Sequence, residues 1–244
     1  MTTRAAFLER VRREMAKTRG LFPAAPSPRP ADPVREAAAV RSRARGRTEA
    51  LLERFRAEAE AVGAVVHHAT TVDAAGEIVL RLAAAREARR VATWRRSRLG
   101  PISAVAARLA DAGLEVFDGA PEPGAGTGLG AGIERLAAAE MGLTAADLAV
   151  AETGSLVLAS GAGKGRAVSL LPACHVALFG PGQLVGTLEE AGVVLEAWHA
   201  TDEGAAGANI VFVTGPSRTA DIELTLTRGV HGPKEVHAVF IDAL

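Results

Sequence analysis

From about residue 35 onward, short apolar runs alternate with longer Ala- and Arg-rich stretches of helical periodicity. This alternation is what most constrains the fold. The runs lie at residues 64–69 (AVVHHA), 90–94, 114–117, 176–179, 209–214 and 236–242. Helical spacing predicts helices over residues 35–61, weakened near Gly46 and ended by Gly63, and over 71–86, 101–112, 133–141 and 183–190. Pro101 stands at a helix start, where its missing N–H does no harm. Strands separated by helices are joined by crossovers rather than hairpins, so they lie parallel and are covered on both faces. The expectation is an α/β chain with a mostly parallel sheet in a three-layer α/β/α sandwich. One local exception is predicted: apolar runs at 149–151 and 156–159 flank Glu152-Thr153-Gly154-Ser155, a turn between two antiparallel strands.

The first 33 residues follow another pattern. Phe7, Leu8, Val11 and Met15 recur at helical spacing, and five prolines then fall between Pro23 and Pro33. The reading is an amphipathic helical arm on a stiff, extended linker over residues 1–33, followed by one α/β domain over 34–244. Such an arm is suited to packing on a partner or on a second copy in a homo-oligomer.

Charge and cysteine usage narrow the function classes. Residues 1–100 carry 21 Lys/Arg against 11 Asp/Glu, and residues 101–244 carry 7 against 17, so halves of +10 and −10 cancel. The basic half is Arg on helical stretches, a solvated face or a means of steering an acidic partner. Aromatic residues are 4% of the chain and Tyr is absent, which argues against nucleic-acid binding. No apolar run reaches the length of a membrane span and the N-terminus lacks a secretory core, so the expectation is a cytoplasmic protein without membrane attachment. The single cysteine, Cys174, excludes an internal disulfide, a zinc knuckle or a cysteine-ligated iron–sulfur cluster within this chain. It sits in an apolar run and reads as a buried strand residue.

Chemistry is expected in the polar, glycine-containing segments of the acidic half: residues 152–155 (ETGS), 160–166 (SGAGKGR), 214–223 (TGPSRTADIE) and 229–235 (GVHGPKE). Loops at strand ends are natural site material. Five of the half's seven cations, Lys164, Arg166, Arg218, Arg228 and Lys234, fall in or beside them. Cations in glycine-rich loops suit an anion site; the competing reading pairs Arg218 and Arg228 with Asp221 and Glu223. The candidate ligand-binding residues are Thr153, Gly154, Gly163, Lys164, Ser217, Arg218, Thr219, Asp221, Glu223, Gly232 and Lys234, and the candidate catalytic residues are Glu152 and His231. Ser217 or Thr219 is placed to cap a helix carrying Asp221 and Glu223 in its first turn. His231, beside Lys234, is suited to acid–base work, and Glu152 interrupts an apolar stretch. His67, His68, His175 and His199 carry no site reading. SGAGKGR lacks the P-loop spacing, the glycines at 121–132 follow their strand too late for a dinucleotide fingerprint and read as a mobile loop, and neither GxSxG nor HExxH occurs.

DLAVAETGSLVLASGAGKGRAVSLLPACHVAL followed by VTGPSRTADIELTLTRGVHGPKEVHAVFID, over most of residues 145–242, resembles the LUD domain of the lactate utilization protein C family. The resemblance implies a fold related to the NagB, ribose-phosphate isomerase and CoA-transferase group. It also implies a non-cluster role in oxidising L-lactate to pyruvate beside iron–sulfur partner proteins, with a small anionic molecule as ligand and no cofactor named. Glu152-Thr153-Gly154 is loosely similar to the nucleophile turn of class I CoA-transferases. Two alternatives stay open: a stand-alone enzyme of the isomerase or CoA-transferase kind, and a regulatory partner docking through its basic arm. Whether the chain alone catalyses a reaction is left open as well.

Overall fold

A computed structural model of the chain describes residues 3–17, 30–119, 129–201, 209–219 and 227–244. They fall into two units, Met1–Ala31 and Asp32–Leu244. The first contains helix α1 (Arg4–Lys17), in which no residue is buried; Phe7, Leu8, Val11 and Met15 are all exposed. The prolines between residues 18 and 29 lie outside the described residues.

The second unit opens with α2 (Pro33–Arg45), capped by Asp32, whose carboxylate accepts from the Arg35 N–H. Gly46 interrupts the helical stretch, and α3 (Thr48–Ala61) resumes it. Gly63, at φ 89°, turns the chain into β1 (Val65–Ala69). There follow α4 (Val72–Ala84), capped by Thr71, then β2 (Arg90–Thr93) and the single turn α5 (Arg96–Leu99). Next come a 3-10 turn at Gly100–Ile102, α6 (Ser103–Asp111), β3 (Glu115–Asp118) and α7 (Leu129–Ala137).

The remaining strands and helix are β4 (Met141–Ala145), β5 (Leu148–Val150), β6 (Ser155–Ala159), β7 (Cys174–Phe179), β8 (Leu184–Val185), α8 (Leu188–Ala200), β9 (Ile210–Val213), β10 (Arg218–Thr219), β11 (Thr227–Arg228) and β12 (Glu235–Ile241).

Six of these strands form a wholly parallel sheet in the order β1-β12-β7-β4-β2-β3, with helices on both sides. The architecture is therefore α/β. Every residue of β7 is buried, as is every residue of β12 after Glu235. That is the burial expected of strands covered on both faces. Phe179 of β7 stacks at 5.1 Å on Phe55 of α3 and at 5.4 Å on Phe240 of β12, so one aromatic column ties helix to sheet. A second sheet, β8-β5-β6-β9, carries the predicted hairpin: β5 and β6 pair antiparallel across the residue 152–155 turn. β10 and β11 form a small separate ribbon.

Four expectations are corrected. The helix expected over 133–141 ends at Ala137, and Met141 begins β4 instead. The reason is packing: a Cβ at Gly142 would stand 1.9 Å from the Val168 carbonyl oxygen, so this run must be a strand with a backbone laid against it. The helix expected over 183–190 is a 3-10 turn (Pro181–Gln183) and the strand β8; α8 starts only at Leu188, where the Thr187 hydroxyl accepts from the Glu190 N–H. Ser217 does not cap a helix: the residues that follow it, Arg218–Thr219, form a strand, and its hydroxyl accepts from the His231 N–H of the loop before β12; the helix that Thr219 would open lies outside the described residues. Of residues 121–132, read as a mobile loop, 121–128 lie outside the described residues, and 129–132 belong to helix α7 instead.

Gly154, in the β5–β6 turn, is the most exacting backbone position. Its φ is 62°, and a Cβ there would fall 2.2 Å from the Ala59 nitrogen of α3. Gly154→Ala is therefore expected to combine left-handed strain with a backbone clash and to cost more than about 2 kcal/mol. A thermal denaturation curve indistinguishable from that of the parent would refute this account of the turn.

Candidate functional site

Two of the polar segments are stitched together around Ser217. Its N–H donates to the Pro233 carbonyl at 2.9 Å, its carbonyl accepts from the Gly229 N–H at 3.0 Å, and its hydroxyl accepts from the His231 N–H at 3.3 Å. A side chain at Gly232 would begin 3.2 Å from the Ser217 Cβ, so glycine permits the close approach. Gly215 and Gly229 hold φ values of 75° and 81° that bend the two segments toward each other.

These loops, β9 and the 3-10 turn at Arg166–Ser169 enclose a cleft of about 310 Å³. Leu170, Val211, Phe212, Val213 and Pro233 supply apolar surface, and Arg166, Arg218 and His231 supply the basic groups. Ser169 fixes its turn by donating to the Arg166 carbonyl. Arg166 and Arg218 are exposed and make no ion pair among the described residues. Asp221 and Glu223 lie outside those residues.

The structure thus brings together Ser217, Arg218, Gly232 and His231, and adds Arg166. Thr219 follows Arg218 on β10 but does not line the cleft. The other candidates stand elsewhere. Lys164 is the main departure: its ammonium pairs with Asp147 at 2.5 Å and lies 4.5 Å from the centre of the Trp94 ring. A lysine so engaged is structural, holding the SGAGKGR loop to the hairpin. Gly163, at φ 77°, packs on Arg95 and Arg98, and its carbonyl accepts from the Arg95 N–H.

Glu152 faces the start of α8, where its carboxylate accepts from the Leu188 N–H at 2.8 Å, a favourable place for a negative charge. Thr153 donates to Ser155, and Ser155 shares a hydrogen bond with Thr214, each at 2.7 Å. This hydroxyl chain links the ETGS turn to the cleft wall, while Glu152 itself lies off the cleft. Lys234 is exposed, and its N–H donates to the Ala173 carbonyl, anchoring the loop rather than lining the cleft.

A second polar cluster escaped the sequence reading. It occupies one face of β1, β12 and β7, near their amino ends. Arg86 donates to His237 Nε2 at 2.8 Å and to Glu235, and His237 Nδ1 lies 3.0 Å from His67 Nε2. A guanidinium only donates, so His237 accepts at Nε2 and carries its proton on Nδ1, which donates to His67. Cys174, Glu235 and His237 place ligand atoms within 4.8 Å of one another. The Arg86 guanidinium already supplies the positive charge there, and burial pushes the Cys174 thiol up to about 11. The group is a hydrogen-bonded clamp in which any metal would have to displace Arg86. Only strand register brings these residues together, and no spacing in the sequence reports it.

The match of the LUD domain profile spans residues 52–241, from α3 to the last residue of β12. The chain belongs to the LUD domain family. Its curated relatives include proteins named lactate utilization protein C. The protein from Shouchella clausii is 39% identical over 110 residues, 45% of this chain and 47% of that protein. The protein from Halalkalibacterium halodurans is 43% identical over 101 residues, 41% and 44% of the two chains. The chain spans about half the length of the curated relatives it matches. Among solved structures, a DUF162 family protein from Deinococcus radiodurans shares the fold, with a TM-score of 0.52 and 23% identity over 78% of this chain and 96% of that one. Among the described residues of this LUD-domain chain, no helix is long and apolar enough to cross a membrane.

His175 gives the LUD domain a measurable acid sensitivity. It is fully buried, shares a 2.9 Å hydrogen bond with Thr144 through Nε2, and has no partner for Nδ1. Burial, then the neighbouring His237, lowers it from 6.5 to about 4. His67 is lowered to about 4 as well, by burial and then by His237, Arg81 and Arg86. A folded-state value below the unfolded one means that the unfolded chain takes up protons first. Stability is therefore full above about pH 6.5 and falls as pH drops toward 4, by about 3 kcal/mol for His175 alone. Melting temperature followed through that window is expected to fall, and to fall less in a His67→Gln, His175→Gln variant. An equal fall in both proteins would rule out these imidazoles as the cause.

Proposed function

We propose that this chain is the non-cluster component of an L-lactate oxidation system and that it binds a small anion in the cleft at Ser217. Lactate utilization protein C is the name carried by its curated relatives. One cysteine in the whole sequence leaves iron–sulfur clusters to partner proteins. The observation that carries the anion reading is the cleft itself: Arg166 and Arg218, without ion pairs among the described residues, share it with His231. Two guanidiniums hold a carboxylate or phosphate through charge-assisted hydrogen bonds. Burial of the ligand against Val211 and Val213 would strengthen them. Glu152, committed to the start of α8, is a positioning residue in this reading, which favours ligand binding over a covalent CoA-transferase step. The arm suits docking to a partner, since Phe7, Leu8, Val11 and Met15 form an exposed apolar stripe on α1.

The test is thermal denaturation of the full chain with lactate, pyruvate or inorganic phosphate. A ligand that binds only the folded state raises the midpoint in a saturable way. Arg218→Gln is expected to weaken binding about 10- to 100-fold, the loss of one or two charge-assisted hydrogen bonds, with little change in the ligand-free midpoint. No shift with any anion, or a shift that survives an Arg166→Gln, Arg218→Gln variant, would defeat the anion reading.

A further inference from the structure

The dimensions and lining of the cleft point to a ligand larger and more apolar than lactate. We propose that the cleft takes a soluble amphiphilic anion: a carboxylate or phosphate head on an apolar body of medium chain length. The inference rests on the anion reading above and adds the class of ligand.

Volume is the first argument. The cleft's 310 Å³ is the share of about ten water molecules in the liquid, and so of roughly ten non-hydrogen atoms. A three-carbon hydroxy acid has about six, so it would leave part of the cleft, and of its apolar walls, in contact with water.

The walls are the second argument. Leu170 and Phe212 are large apolar side chains left 46% and 42% exposed, and both line the cleft. Pro233 adds to this surface, and Val211 and Val213, whose side chains alternate with Phe212 along β9, border it. Scattered exposed apolar residues need no explanation, but several lining one concavity with a few basic groups have the composition of a ligand pocket.

Charge placement is the third. Arg218 lines the cleft and makes no ion pair among the described residues, so its charge is left for an anionic head to meet. Arg166 reaches the cleft from the 3-10 turn, so the head is approached from two separate elements while the body lies along β9. His231 lines the cleft as well.

Isothermal titration of the full chain with acetate, butyrate, hexanoate and octanoate, alongside lactate and neutral octanol, tests the class. Affinity is expected to rise about two- to fourfold per methylene, approaching the 0.8 kcal/mol of a fully buried one. The binding heat capacity should become more negative with chain length. Phe212→Asn and Leu170→Asn, both at exposed positions, should flatten the chain-length dependence. Arg218→Gln should weaken all the acids by a similar factor.

If acetate, lactate and octanoate bind equally well, the amphiphile inference fails while the anion reading stands. If none of the acids binds, both fail. Octanol binding as tightly as octanoate would remove the anionic head. Co-sedimentation of the protein with phosphatidylglycerol vesicles would overturn the choice of a soluble ligand.

Discussion

The insertion of β12 between β1 and β7 is the constraint on which the rest of the molecule depends. The last strand of the chain enters the sheet beside the first, so neither neighbour is fully paired until residues 235–241 arrive. This is a non-local contact whose loop-closure cost precedes its packing gain. Once it forms, Phe240 closes the aromatic column with Phe179 and Phe55. The loop before β12 is then fixed by the Lys234 N–H on the Ala173 carbonyl, and that loop in turn holds Ser217. The cleft exists because the sheet is complete.

Much of this architecture was legible in the sequence because it follows from periodicity. Runs such as VALF and VHAVFID read as strands, and Gly46 and Gly63 marked real interruptions. The misses have a common cause. Met141–Ala145 and Leu184–Val185 are short, apolar and free of alternation, so a strand and a buried helical turn look alike there. What decides between them is tertiary: the Val168 backbone against Gly142, and β5 beside Leu184.

The site was legible in part, for an electrostatic reason. Counting cations located loops that line the cleft but gave no account of where the partners lie. Asp147 sits just before the β5–β6 hairpin and reaches Lys164 from a distance of 17 residues, which removes that lysine from the cleft. Arg166, two residues further on, remains available and lines it. The hydrogen bonds of Ser217 could not be read from spacing, because only tertiary geometry brings the segments they join together. His67, Arg86 and His237 illustrate the same limit across 170 residues of chain.

β9 forms one wall of the cleft, and it is also the end strand of its sheet, paired with β6 on one side and with no other strand among the described residues. A strand with one open edge offers its unpaired N–H and C=O groups to any extended chain that approaches, which makes such edges starting points for aggregation. Charge beside the edge is a common protection. Arg166 and Arg218 line the same cleft as β9, so their charge stands near that edge. Under the proposed anion reading, ligand affinity and resistance to self-association would draw on the same two guanidinium groups.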